Sequence, residues 1–123
     1  MSSPKHYSTF KREFTSALAK SLEVSTESCM LAKVTGRIDS TATSDDYYIQ
    51  LISAPSLPAD GSVTLLMAPL KITHSNGTDS LFDLDFSPDY IKSKDGLYVV
   101  LSTTEFTKTL ASTEWMSCTA FFH

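Results

Sequence analysis

The chain has 123 residues, 41% of them apolar and 20% charged, with a net charge of −4. That length suits one domain with one core, and the composition excludes a disordered chain. The acidic balance disfavours a nucleic-acid partner, and the longest apolar runs, such as Leu65 to Ala68, are far too short to span a membrane.

The remaining charge is polarised. Residues 1–37 hold six basic groups, Lys11 and Arg12 among them, against three glutamates, a balance of +3. Residues 38–123 hold four lysines against eleven acids, a balance of −7. The basic segment reads either as a solvated face or as a docking element for an acidic neighbour, which includes the next copy of this chain. Ser and Thr together make up 34 residues, a content that suits strands, turns and polar faces.

In chain order, residues 1–8 read as a loose polar arm, and 9–123 as a single domain. Phe10, Phe14, Leu18 and Leu22 recur four apart, which predicts a short helix over 9–22 with one apolar stripe. A helix of that length is marginal alone, so the stripe must be buried on its own domain or on another subunit.

From Cys29 the period changes to two, and a β-sandwich is expected over 29–122. Met30, Ala32, Val34 and Ile38 alternate with Lys33, Thr35 and Arg37. Tyr47 to Ser53 and Val63 to Ala68 read as strands, with Leu70 to His74 continuing the second past Pro69. Asn76-Gly77 predicts a two-residue hairpin turn joining that strand to Ser80–Phe86. In the returning strand Phe82, Leu84 and Phe86 face in, and Asp83 and Asp85 face out. Leu97 to Thr104 reads as a buried strand, and Trp115 to Phe122 as the last one. The fold class is therefore mainly β: an antiparallel sandwich or jelly-roll-like fold of seven to eight strands with one short N-terminal helix.

Candidate chemistry is sparse, and no catalytic residue, metal ligand or cofactor is assigned. His6, His74 and His123 share no metal-ligand spacing, and Cys29 and Cys118 form no Cys-x-x-Cys pair. The two thiols read as reduced and buried; a Cys nucleophile with His74 would need both groups in one cleft. Asp83, Asp85 and Asp89, with Asp45-Asp46, suggest calcium ligation, but Pro88 stands where an EF-hand loop needs glycine. Asp83 and Asp85 also have the form of a glycosidase dyad, and strand alternation explains them without either chemistry. Asn76-Gly77-Thr78 matches a glycosylation acceptor. With no apolar leader at the start of the chain, it reads as a turn. Tyr47, Tyr48, Tyr90, Tyr98 and Trp115 could form a sugar-stacking platform, or Trp115 could belong to the core.

Phe82-Asp-Leu-Asp-Phe-Ser-Pro-Asp89, Asp95-Gly-Leu-Tyr-Val-Val-Leu-Ser-Thr-Thr104 and the aromatic strand Trp115–Phe122 together resemble the C-terminal part of small β-sandwich structural proteins of tailed-phage virions. The resemblance covers about the last 45 residues. It implies a capsid-decoration, tail or fibre-associated role in repeated copies, with localisation to the virion; a non-viral chain of this kind would be cytoplasmic. It implies no active-site residues. The partners expected are the chain itself, with trimers or higher rings the natural symmetric forms, and other virion proteins, but neither nucleic acid nor membrane. The interface residues expected are Phe10, Phe14, Leu18, Leu22, Lys11, Arg12, Trp115 and Phe121. The alternative is a host-surface or carbohydrate-binding module using exposed tyrosines.

Overall fold

The computed structural model describes residues 10–123, so the arm expected over 1–8 lies outside the described residues. The fold is a two-sheet antiparallel sandwich, as expected, with nine strands among the described residues rather than seven or eight. They are β1 (Lys11–Phe14), β2 (Ser21–Ser25), β3 (Cys29–Ile38), β4 (Asp45–Ile52), β5 (Leu70–His74), β6 (Ser80–Asp85), β7 (Ile91–Ser93), β8 (Leu97–Ser102) and β9 (Met116–Phe122). One sheet runs β1-β9-β3-β6, with β7 also on β3; the other runs β2-β8-β4-β5.

The helix expected over 9–22 is not present in residues 10–22. That segment forms β1 and β2 instead. An apolar repeat of four is also two steps of a period-two strand, so the spacing fits both elements. The edges of β9 and β8 decide between them. Thr15 N–H donates to the Cys118 carbonyl and Ala19 exchanges bonds with Met116, after which Leu101 N–H donates to the Lys20 carbonyl. The chain is thus one edge strand that leaves the first sheet near Ala19 and joins the second at Lys20. The crossing also changes the side it buries: Phe14 is exposed, and Leu22 lies in the core.

A second crossing closes the opposite side. The hairpin expected at Asn76-Gly77 does not form, because β5 and β6 belong to different sheets. A type I′ turn needs positive φ at both central residues, and here only Gly77 has it, at 97°. The turn docks instead on the 39–44 loop. Gly77 N–H donates to the Ser40 carbonyl at 2.7 Å, and the Asn76 amide donates to the Ala42 carbonyl at 3.0 Å. The strand expected over Val63–Ala68 is also absent apart from a bridge between Leu65 and Ile52. The segment carries Pro58 and Pro69 at its flanks, and it lies across the outside of the second sheet.

That covering explains why all six residues of β8 are buried. Leu97, Val99 and Leu101 point into the space between the sheets. Tyr98 and Val100, with Ile52, point the other way and pack under Val63, Leu65 and Leu110. Polar anchors hold these cover segments. The buried Gln50 amide donates to the carbonyls of Thr104, Glu105 and Thr107. Lys108, 2% exposed, reaches Asp60 at 2.6 Å.

The first sheet is organised by β3. Its inward residues Leu31, Val34 and Ile38 are fully buried, and β9 contributes Met116, Cys118, Ala120 and Phe122 to the same layer. Gly36 sits opposite Cys118 on one side and Phe82 on the other. A Cβ there would lie 2.7 Å from both Cys118 Cβ and Phe82 Cζ and would press on the Ser117 carbonyl. The bare backbone is what lets Phe82 lie flat across β3. Gly36→Ala is therefore expected to destabilise the fold by about 1–3 kcal/mol through overpacking, measured as a lower urea midpoint with an unchanged m-value.

Candidate interaction face

Among the described residues, no loop covers the outer face of the first sheet. Its side chains stand in rows set by the ladder. Arg12, Phe121, Lys33 and Asp85 form one row; Phe14, Thr119, Thr35 and Asp83 form the next; Ser117, Arg37 and Leu81 form a third. Leu81 is 78% exposed and Phe14 58%, values far above those of the apolar residues under the cover of the second sheet.

One end of this face is a groove. β6 and β7 pair successively with the same side of β3, and residues 86–90 loop out between them. Phe86 N–H still donates to the Ala32 carbonyl, and Tyr90 then turns back with a φ of 54°, a conformation that residues other than glycine seldom adopt. The turn brings the Tyr90 ring edge-on to Phe10 at 6.1 Å, and Phe10 also meets the His123 ring at 4.3 Å. The resulting groove, of about 490 Å³, is lined by Phe10, Tyr90 and Phe121, with Lys33, Asp85 and Ser87 supplying polar groups. A second depression of about 460 Å³ lies between Met30, Lys92, Lys94 and His123.

The expected interface residues divide between this face and the core. Lys11, Arg12 and Phe14 are exposed on β1, and Phe10 and Phe121 line the groove. Leu18 is half-buried. Leu22 is 7% exposed and belongs to the core, so it is no surface residue. Trp115 packs on the core with its ring edge-on to Tyr47 at 6.0 Å, and Tyr47 itself is buried with its hydroxyl on Thr43. Of the tyrosines considered for a sugar platform, Tyr90 lines the groove and Tyr47 does not. Leu81 stands outside the expected set, although strand alternation places it with Asp83 and Asp85 on the outward side.

The acidic cluster is not drawn together. Asp85 accepts from the backbone N–H and hydroxyl of Ser87, which holds its carboxyl below the usual range. Asp83 lies 3.8 Å from Lys33. Among the described residues no three carboxylate, His or Cys side chains gather as a metal site. Among the described residues no helix is long and apolar enough to cross a membrane. Both cysteines are free and buried; burial raises the Cys29 pKa and pushes Cys118 up to about 12. Thiolate, the reactive form, is therefore scarce at neutral pH. Ellman's reagent should react slowly with the native protein and titrate both thiols quickly in denaturant.

At the far end of the face, Arg37 is gripped by Asp39 and lies 3.5 Å from Asp79. The Asp39 carboxylate accepts from the Thr41 hydroxyl and from Arg37, then from the Thr41 N–H, and these bonds hold its pKa at about 2. An acid whose pKa is depressed by folding stabilises the native state above its ordinary value of about 4. That contribution should disappear as pH falls from about 4 to 2. A carboxyl NMR titration should place the Asp39 midpoint near 2, and Thr41→Val should raise it.

The chain matches no known protein family, no curated protein and no solved structure.

Proposed function

We propose that the protein is a non-catalytic assembly subunit, a structural component of a virion of the capsid-decoration, tail or fibre-associated kind. It acts by docking on copies of itself and on neighbouring virion proteins. The observation that carries this reading is the uncovered outer face of the first sheet, with Phe14 and Leu81 held out in solvent among charged rows. The likeness of Phe82–Asp89, Asp95–Thr104 and Trp115–Phe122 to tailed-phage sandwich proteins supports the virion setting. The work asked of such a subunit is surface complementarity, which needs no cofactor.

The aromatic groove favours a second reading, a carbohydrate-binding module. Phe10 and Tyr90 line the groove beside Lys33 and Asp85, a combination of aromatic and polar groups suited to packing on a sugar while bonding its hydroxyls. Trp115 lies away from that groove, so tyrosine-ring NMR shifts on glycan addition, abolished by Tyr90→Ala, are the appropriate test.

For the assembly reading, light scattering coupled to size exclusion should give a mass above the 13.5 kDa of one chain, rising with concentration. Leu81→Ser, a change on the surface, should leave thermal stability within about 0.5 kcal/mol while lowering that mass. A mass of one chain at every concentration would remove self-assembly from the proposal.

A further inference from the structure

The two edges of the first sheet are complementary to each other. β1 closes one side and carries Lys11 and Arg12; β6 closes the other and carries Asp83 and Asp85. Among the described residues neither has a strand on its outer side.

The ladder also settles which backbone groups point outward. Thr15 N–H bonds to Cys118 on β9, and hydrogen-bonded positions alternate along an antiparallel pair. Arg12 and Phe14 therefore turn their N–H and C=O groups away from β9. Phe86 N–H bonds to Ala32 on β3, so by the same alternation Leu81, Asp83 and Asp85 turn theirs away from β3. All five side chains stand on the outer face of the sheet. Strand direction alternates from β1 through β9 and β3 to β6, so a β1 placed beside β6 continues the sheet antiparallel.

We propose that β1 of one copy adds to β6 of the next and extends the first sheet head to tail, with Arg12 opposite Asp83 and Phe14 opposite Leu81. This rests on the assembly reading and names its contact. Of the registers that the backbone alternation allows, this one sets opposite charges together and apolar side chains together at once. A shift of two residues puts Phe14 against Asp83, and the reverse shift puts Arg12 against Leu81. Like edges cannot match in this way: among the outward positions two β1 strands supply only Arg12 as a charge, and two β6 strands supply only aspartates. A contact between two different edges is heterologous, so it generates rings or filaments. With only four residues in β1 the single contact is weak, and association grows with concentration.

The experiment uses proline to block each edge in the full-length chain. At Phe14 and Asp83 the N–H points out of the fold, so Phe14→Pro and Asp83→Pro remove no internal ladder bond. Sedimentation should find each variant monomeric at concentrations where the parent chain associates. An equimolar mixture should form a 1:1 dimer and stop there, since each variant keeps one competent edge. Arg12→Asp and Asp83→Arg serve as a second pair that leaves the backbone untouched. Each should weaken association by roughly tenfold, and the double variant should restore it. If the parent chain associates and all four single variants associate equally well, edge pairing is overturned and the assembly reading survives. A parent chain that stays monomeric overturns both.

Discussion

β3 is paired on both sides, with β9 from Leu31 to Ile38 on one and with β6 (Lys33–Ile38) and β7 (Cys29–Leu31) on the other. Because side chains alternate along a strand, interrupted in β3 by the bulge at Leu31/Lys33, that pairing determines which half of these four strands enters the core. Leu31, Val34 and Ile38 cannot be buried without also burying Phe82, Ala120 and Phe122 and turning Lys33, Arg37, Asp83 and Phe121 outward. At Gly36 this layer leaves no room for a Cβ, and Cys118 and Phe82 meet over bare backbone. The character of the outer face, mixed in charge and dotted with apolar groups, is thus a consequence of how the core is packed.

The two sheets are treated differently. The second is sealed by proline-containing and threonine-rich connections, anchored through Gln50 and through Lys108 with Asp60. Its strand β8 is apolar on both sides because both sides are covered. The first sheet carries polar residues on its outer side, as an antiparallel sheet does when that side meets solvent. Phe14, Phe121 and Leu81 depart from that rule. They lie along its outer rows and beside the Tyr90 turn, where a partner would have apolar surface to cover.

Both flanks of the sandwich are closed by a chain that changes sheets. One crossing runs from β1 to β2, the other from β5 to β6. The polarity of charge along the sequence becomes a polarity in space through these crossings. Lys11 and Arg12 of β1 lie on one flank, and the aspartates of β6 and of the Asn76-Gly77 corner lie on the other. Charges on exposed edges ordinarily keep sheets apart. Unlike charges on the two edges of one sheet keep like edges apart and leave unlike edges free to meet.

Period-two alternation is a local property, and the sequence carried it openly. β8, β9 and the inward set Phe82, Leu84 and Phe86 were legible from spacing alone, as were the mainly-β class and the burial of both thiols. In β3 the expected alternation runs from Lys33 to Ile38, but the bulge at Leu31/Lys33 puts Leu31 rather than Met30 in the core and leaves Ala32 lining the outer groove. Two readings failed where the local signal served two structures equally. The repeat from Phe10 to Leu22 suits a helix face and a strand face alike, and only the open edges of β9 and β8 make it a strand. Asn76-Gly77 marks a reversal whether its flanks pair or part, and only the docking of that turn on residues 39–44 sends β6 to the other sheet. Which sheet face stays uncovered, and which edges remain unpaired, depends on contacts between residues tens of positions apart. No window of sequence contains them, so the tertiary structure alone decided which face and which edges of this protein lie open.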